Sequence, residues 1–319
     1  MKKTFTAFGA GGAALVLLLA MICIGVLGLT AVIFEGFSFR ELNTKVASFL
    51  FEQSAGNGEK NQYGRLIKNF MYDCDFYHFS DFSISAAGVN EITGIPKYCY
   101  QRGSPDGNAV FLWGDSHAQM LYYGLVQNLP QNIALFQVSR AACKPSIAKT
   151  ADPICDKTNA FALEELAYLK PSVVIIAQRD SWDNQAVKSI SEKLTAIGVD
   201  RILFVGKSPE WKANLPKIIL RKYWFNTPQR STADLNIDSD AADRAAKVFV
   251  NTSSRSQFVD LKEYFCNEEG CLIYLGDSLK VGLTSFDGNH LSPIASDAVA
   301  KNILLPLIFG SSNAQYKTH

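Results

Sequence analysis

The sequence predicts an α/β domain built on a parallel sheet with helices on both faces, preceded by one membrane-spanning helix. Two observations carry that prediction. From Ala109 onward, short apolar or β-branched runs alternate with segments of helical pattern, as in a parallel sheet covered on both sides. Ahead of them, Phe5 to Phe34 contains no charged residue and exceeds the roughly 20 residues that span a bilayer.

Each segment has its own justification. Lys2 and Lys3 precede the apolar run and favour a cytoplasmic N-terminus, which places everything after Glu35 outside the cytoplasm. The run is longer than the h-region of a signal peptide, and no A-x-A site ends it. A cleaved signal peptide is the alternative. Arg40 to Gly64 is polar and reads as a stalk, and the aromatic-rich stretch Phe70 to Tyr100 reads as an irregular lead-in. Ser104-Pro105-Asp106-Gly107 is a turn signal before the first strand. Strands are expected at Val110 to Trp113, Ile133 to Val138, Ser172 to Ala177, Arg201 to Gly206 and Gln257 to Leu261. Helices are expected at His117 to Val126, Phe161 to Leu169, Asn184 to Ile197, within Ser231 to Val250, and at Pro293 to Phe309. Pro209 to Pro228 is the least regular stretch and reads as an insertion near the site. The expected division is 1–35 cytoplasmic tip and anchor, 36–105 stalk and lead-in, 106–312 the α/β domain, and 313–319 a tail.

The net charge of +1 and the absence of a long basic block argue against nucleic acid as a partner. Of the seven cysteines, Cys23 lies inside the apolar run. The other six fall as three sequence-local pairs: Cys74 with Cys99, Cys143 with Cys155, and Cys266 with Cys271. Six cysteines allow 15 connectivities, so the sequence alone leaves the pairing open. An even number outside the span fits three disulfides in an oxidising compartment. A zinc site and free buried cysteines are the alternatives. Zinc is disfavoured by the lack of a CxxC pair and by only four histidines.

The chemistry concentrates in two segments. In Ala109 to Met120, AVFLWGDSHAQM, Gly114-Asp115 breaks a strand and Ser116 stands at a sharp strand-to-helix turn. Such a serine is held out of the packing, with its backbone N–H near a helix N-terminus, where an oxyanion is stabilised. Far downstream, Phe286 to Ser292, FDGNHLS, supplies Asp287 and His290 three residues apart on a loop. A loop at the carboxyl ends of parallel strands lies beside Ser116. His290 is then the candidate base and Asp287 the group that orients it, although DGNH read alone is an ordinary turn. A second triplet, Gly276-Asp277-Ser278, has no helix after it and reads as a hairpin turn. His117 either lines the pocket or caps the helix, and Asp115 supports the turn.

GDSH at 114–117 and DGNH at 287–290 resemble the first and last sequence blocks of the SGNH (GDSL-like) hydrolases. The likeness is closer to the SGNH domain attached to the C-terminus of bacterial membrane acyltransferase-3 proteins, which O-acetylate cell-surface glycans. The closer match is carried by Cys143/Cys155 after the second strand, Cys266/Cys271 before DGNHLS, and a single span ending in Phe34-Glu35-Gly36-Phe37-Ser38-Phe39-Arg40. The resemblance implies a three-layer α/β/α sandwich with Ser116 as nucleophile, His290 as base and Asp287 as the carboxylate holding it. It also implies no metal and no organic cofactor.

Two blocks depart from the wider family. After the second strand, where an oxyanion-hole Gly is usual, the chain has Ser139-Arg140-Ala141-Ala142. After Ala177, where an oxyanion-hole Asn is usual, it has Gln178-Arg179-Asp180. Arg179 falls in the Asn position and reads either as an oxyanion or substrate donor or as a surface charge. The expectation is a membrane-anchored extracytoplasmic serine O-acyltransferase, most simply O-acetyl, acting on a surface polysaccharide or peptidoglycan. Its acyl donor is expected from a separate multi-span membrane acyltransferase. The alternatives are a carbohydrate O-acetylesterase and a non-catalytic glycan-binding or assembly subunit.

Overall fold

The computed structural model describes residues 15, 18–26, 28, 74–75, 97–100 and 109–310, except 224, 237–240, 278, 280 and 281. The chain forms two units, Met1–Phe49 and Leu50–His319. In the first, residues 18–26 are helical, with Leu18, Leu19, Met21, Ile22, Ile24 and Val26 all exposed. Apart from residues 15 and 28, the rest of the predicted span lies outside the described residues, and among those described no helix is long and apolar enough to cross a membrane. The stalk, most of the aromatic lead-in, the turn at Ser104 to Gly107, Ser278 and the tail after 310 also lie outside them.

The second unit is organised by a five-stranded, all-parallel sheet. Its strands are β1 (Ala109–Gly114), β2 (Ala134–Ser139), β3 (Val173–Ala177), β4 (Arg201–Val205) and β6 (Ser256–Val259), in the order β2-β1-β3-β4-β6. Side chains alternate between two buried faces. Phe111, Trp113, Val174, Ile176 and Phe204 pack beneath α2 (Pro153–Leu169), α3 (Asn184–Ile197) and α5 (Ala241–Val250). Val110, Leu112, Ile175, Leu203 and Val205 pack beneath α1 (Ser116–Asn128) and the last helix. This is the three-layer arrangement the alternating pattern predicts.

Capping chemistry sets the helix limits. Asp152 accepts from the N–H groups of Ile154 and Cys155, and Pro153 occupies the first helical position, so α2 starts eight residues before the predicted Phe161. Asp183 caps α3, and Gly198, at φ 95°, ends it. The helix predicted within Ser231 to Val250 is confined to Ala241–Val250. Asp234 stands at φ 65°, a left-handed conformation that no α-helix continues through, and Arg230–Ser231 (β5) is instead a strand. The strand expected at Gln257 to Leu261 ends at Val259. Asp260 then accepts from the Glu263 N–H and starts a short helix, α6 (Leu261–Phe265). The last helix runs as α7 (Pro293–Val299), a π-helical turn (Ala300–Leu304) and α8 (Leu305–Phe309). The turn lies just ahead of Pro306, whose missing N–H breaks the regular bond ladder.

Beside the main sheet, β5, β7 (Cys266–Asn267) and β8 (Gly270–Leu272) form a small antiparallel sheet in the order β5-β8-β7. The segment expected to be irregular, Pro209 to Pro228, contains α4 (Leu215–Ile218) and a π-helical turn (Ile219–Tyr223). Three disulfides pair Cys74 with Cys99, Cys143 with Cys155, and Cys266 with Cys271. Cys23 is free.

Candidate active site

The site begins where β1 ends. Gly114, at φ 156°, lies so close to β3 that a Cβ there would sit 1.9 Å from the Ala177 carbonyl oxygen. Asp115 turns the chain and caps α1: its Oδ1 accepts from the His117 N–H at 2.7 Å, and its Oδ2 from the Arg179 N–H at 2.9 Å. Ser116 is thus the first residue of α1, where a backbone N–H has no acceptor within the helix. Asp115 is almost fully buried, and that desolvation raises its pKa to about 6 against the lowering effect of its two backbone hydrogen bonds.

The second half is the loop 286–290, closed by a bridge between Ser285 and Leu291. Within it, Asp287 Oδ1 accepts from the N–H groups of Asn289 and His290, both at 2.8 Å. Its Oδ2 lies 2.7 Å from His290 Nδ1. His290 Nε2 lies 2.8 Å from Ser116 Oγ. The structure therefore brings the three predicted residues, 174 positions apart at their extremes, into one hydrogen-bonded chain. Burial alone would raise the Asp287 carboxyl. The hydrogen bond and charge of His290 and the two backbone N–H groups outweigh it and hold the carboxyl below its ordinary range. An ionised Asp287 fixes the His290 tautomer with its proton on Nδ1, leaving Nε2 to accept from the Ser116 hydroxyl.

The loop is also held from outside by residues that no sequence motif marks. Trp211 N–H donates to the Gly288 carbonyl at 2.7 Å, and Leu215 N–H to that of Asp287 at 2.8 Å. The Ser208 hydroxyl donates to the Asn289 carbonyl, and the Ser285 hydroxyl to that of His290 at 2.7 Å. All four carbonyls from 287 to 290 are thereby satisfied. The Pro209 to Pro228 stretch braces the Asp287–His290 loop through Trp211 and Leu215, a role with no sequence signal beyond its position. On the other side of the loop, Ser292 caps α7 through the Ala295 N–H, fixing the helix that follows His290.

The departing blocks have defined partners. Arg140 N–H donates to the Gly114 carbonyl at 3.1 Å, and Ala141 N–H to Asp75 Oδ1 at 3.2 Å. Arg179 Nη2 donates to Glu210 Oε1 at 2.7 Å, and this bond, ahead of opposing desolvation, raises the guanidinium pKa. His117 is buried, and its ring stacks on that of His290 with centroids 4.8 Å apart. Among the described residues no cluster of His, Cys, Asp and Glu has the makings of a metal site.

A family model described as the SGNH domain fused to AT3 domains matches residues 82–304, more than half of the chain. The chain belongs to that SGNH family. A solved structure with the same fold is the periplasmic domain of a lipopolysaccharide acetyltransferase from Salmonella ser. Paratyphi A. The two superpose with a TM-score of 0.57 at 21% identity, over 82% of this chain and 99% of that one. No curated protein matches the sequence significantly. The SGNH fold places Ser116 and the 286–290 loop at the carboxyl ends of the parallel strands, the usual site of ligands in open α/β sheets.

Proposed function

We propose that this SGNH protein is a membrane-anchored, extracytoplasmic serine O-acyltransferase that moves an acetyl group onto a surface glycan. The observation that carries the reading is the hydrogen-bonded chain Ser116–His290–Asp287. His290 Nε2 takes the Ser116 proton as Oγ attacks the carbonyl carbon of an ester donor. The tetrahedral oxyanion collapses, the donor alcohol leaves with the proton from Nε2, and an acyl-serine remains. His290 then deprotonates a glycan hydroxyl, which attacks the acyl-serine and frees Ser116. Asp287 keeps Nδ1–H oriented and stabilises the imidazolium in both halves. The Ser116 N–H at the start of α1 faces the developing charge, and Arg179 is the candidate side-chain donor.

The uncharged run Phe5 to Phe34 is the support for an anchor, and the three disulfides are the support for an oxidising compartment. A separate multi-span acyltransferase is proposed as the donor partner, because related domains are fused to AT3 domains. The domain boundaries expected above are proposed in the same spirit: 1–35, 36–105, 106–312 and 313–319.

The experiment is labelling of the purified full-length protein with a serine-directed fluorophosphonate, with Ser116→Ala as its partner. Labelling of the wild type that is lost in the variant is the expected result, and a folded wild type that is never labelled overturns the enzyme reading. Following acetate release and acetyl transfer from p-nitrophenyl acetate with and without a glycan acceptor then separates the chemistries. Acceptor-dependent transfer is expected, whereas release that ignores the acceptor makes the protein an esterase.

A further inference from the structure

His117 is a buried titratable group that this mechanism leaves unused. It is 4% exposed, and among the described residues neither ring nitrogen has a hydrogen-bond partner. Its ring lies against that of His290 at a centroid distance of 4.8 Å and an interplanar angle of 29°. Phe286 stacks on His290 as well, at 5.8 Å and 11°. Burial first, and the neighbouring His290 second, push the His117 pKa well below that of an ordinary imidazole, so the ring is neutral at working pH.

A second imidazole without hydrogen bonds has no place in a proton relay, but its plane has a mechanical consequence. The bonds to Asp287 Oδ2 and Ser116 Oγ fix the two nitrogens of His290. They leave soft the tilt of the ring about the line that joins those nitrogens. A flat group packed face-on stops that tilt and excludes water from the covered face. His117 is well placed for this, because its own N–H is held at 2.7 Å by Asp115, the residue that caps the helix bearing Ser116. The nucleophile and the surface on which the base rests therefore share one fixed helix start.

We infer that His117 is a positioning residue: a neutral aromatic plate that holds the His290 ring in line between Ser116 and Asp287. The inference rests on the reading of Ser116, His290 and Asp287 given above. What it requires of residue 117 is a flat, apolar-tolerant ring, not an ionisable nitrogen.

The test compares His117→Ala and His117→Phe in the full chain. The readouts are the fluorophosphonate labelling rate, kcat and KM with p-nitrophenyl acetate, and the thermal midpoint. His117→Ala is expected to lower kcat and the labelling rate by about 10- to 100-fold, on the scale of a sub-ångström to 1 Å misplacement, with KM within about twofold. His117→Phe is expected to restore both to within about threefold of wild type. Should the alanine variant fail to fold, His117→Leu, which fills the volume without a flat ring, is judged by the same criteria. The inference is overturned by a folded alanine or leucine variant with wild-type kcat, or by a folded phenylalanine variant as impaired as alanine. Wild-type turnover and labelling in Ser116→Ala would instead overturn the function proposed above, so the two failures are distinct.

Discussion

The helix that bears Ser116 and the helix that follows His290 are in close contact eight residues along α1 from the serine, at Gly124. There α1 and α7 approach so closely that a Cβ would lie 2.0 Å from the Ser296 carbonyl oxygen, 2.4 Å from its carbon and 2.8 Å from the Asp297 nitrogen. The Gly124 N–H lies 3.0 Å from Ser296 Oγ, and Asn128 Nδ2 bridges the Gly124 carbonyl and Asp297 Oδ1, both at 2.7 Å. Every atom a methyl group would strike is backbone, so no rotamer change relieves it. To reach ordinary contact at 3.4 Å the helices must part locally by about 1.4 Å. Ser116 opens one helix, and His290 stands three residues before the other, so that opening is expected to lengthen the 2.8 Å Ser116–His290 bond. Gly124→Ala is expected to cost about 1–3 kcal/mol from overpacking, partly offset by alanine's better helix propensity. It is expected to lower the fluorophosphonate labelling rate by roughly 100-fold. Ser296→Ala is the control: it deletes the hydroxyl but leaves the offending carbonyl, and should cost about 1 kcal/mol with only a small change in rate. A Gly124→Ala protein with wild-type thermal midpoint and a labelling rate within twofold would refute this coupling of helix spacing to the site.

Three further outcomes follow from the site and its supports. Asp287→Asn keeps the loop's shape but loses the charge that stabilises the imidazolium, so kcat should fall by about 10³- to 10⁴-fold with the fold retained; a drop below tenfold would contradict the role. Because the native Asp287 carboxyl sits below its ordinary range, its contribution to stability is complete above the unfolded value near 3.8 and is lost only as pH falls through the lower native value. Asp115 has the opposite sign. With a native pKa of about 6 against 3.8, the folded state binds more protons between those values, and stability from this group drains as pH rises through them. Urea midpoints at pH 4 and 7 should show the wild type losing up to about 3 kcal/mol relative to Asp115→Asn, and a pH-independent difference would exclude it. Replacing both Cys143 and Cys155 by Ala opens a loop of 12 residues and should cost about 3 kcal/mol in a denaturant titration; an unchanged midpoint would count against the bond.

The parts of the fold that the sequence announced are the ones governed by local pattern. Val173–Ala177 is a β-branched run, and Asn184–Ile197 lies between an Asp183 cap and Gly198, so both fall within a residue of prediction. The convergence of Ser116, Asp287 and His290 is legible for the same reason: each sits in a short motif whose turn chemistry is written in adjacent residues. What escaped is non-local. Nothing in Ser208, Trp211 or Leu215 signals that they hold the carbonyls of residues 287–289, because those bonds are made largely by backbone groups across some 80 positions. The helix expected within Ser231 to Val250 is present as Ala241–Val250, but its start is not written locally: Arg230–Ser231 pairs into the small sheet and Asp234 is left-handed before α5 begins.

The two blocks that depart from the wider family are reconciled with an intact serine turn by the same distinction. The β1–α1 turn is clamped from both neighbouring strands by main-chain N–H groups. Arg140 N–H donates to Gly114 from the end of β2, and Arg179 N–H donates to Asp115 from beyond the end of β3. Asp115 N–H in turn donates to the Ala177 carbonyl at 3.3 Å. None of these bonds reads the identity of the side chain at 140 or 179. The turn that presents Ser116 is thus compatible with Arg at 140 and 179, provided the backbone path is kept. The Arg179 side chain is left to make a separate link, and its bond to Glu210 ties the β3 end to the insertion that braces the Asp287–His290 loop. Both halves of the site are therefore linked through residues outside the hydrogen-bonded chain itself. Variation of the side chains in those blocks leaves the main-chain bonds that position Ser116 in place.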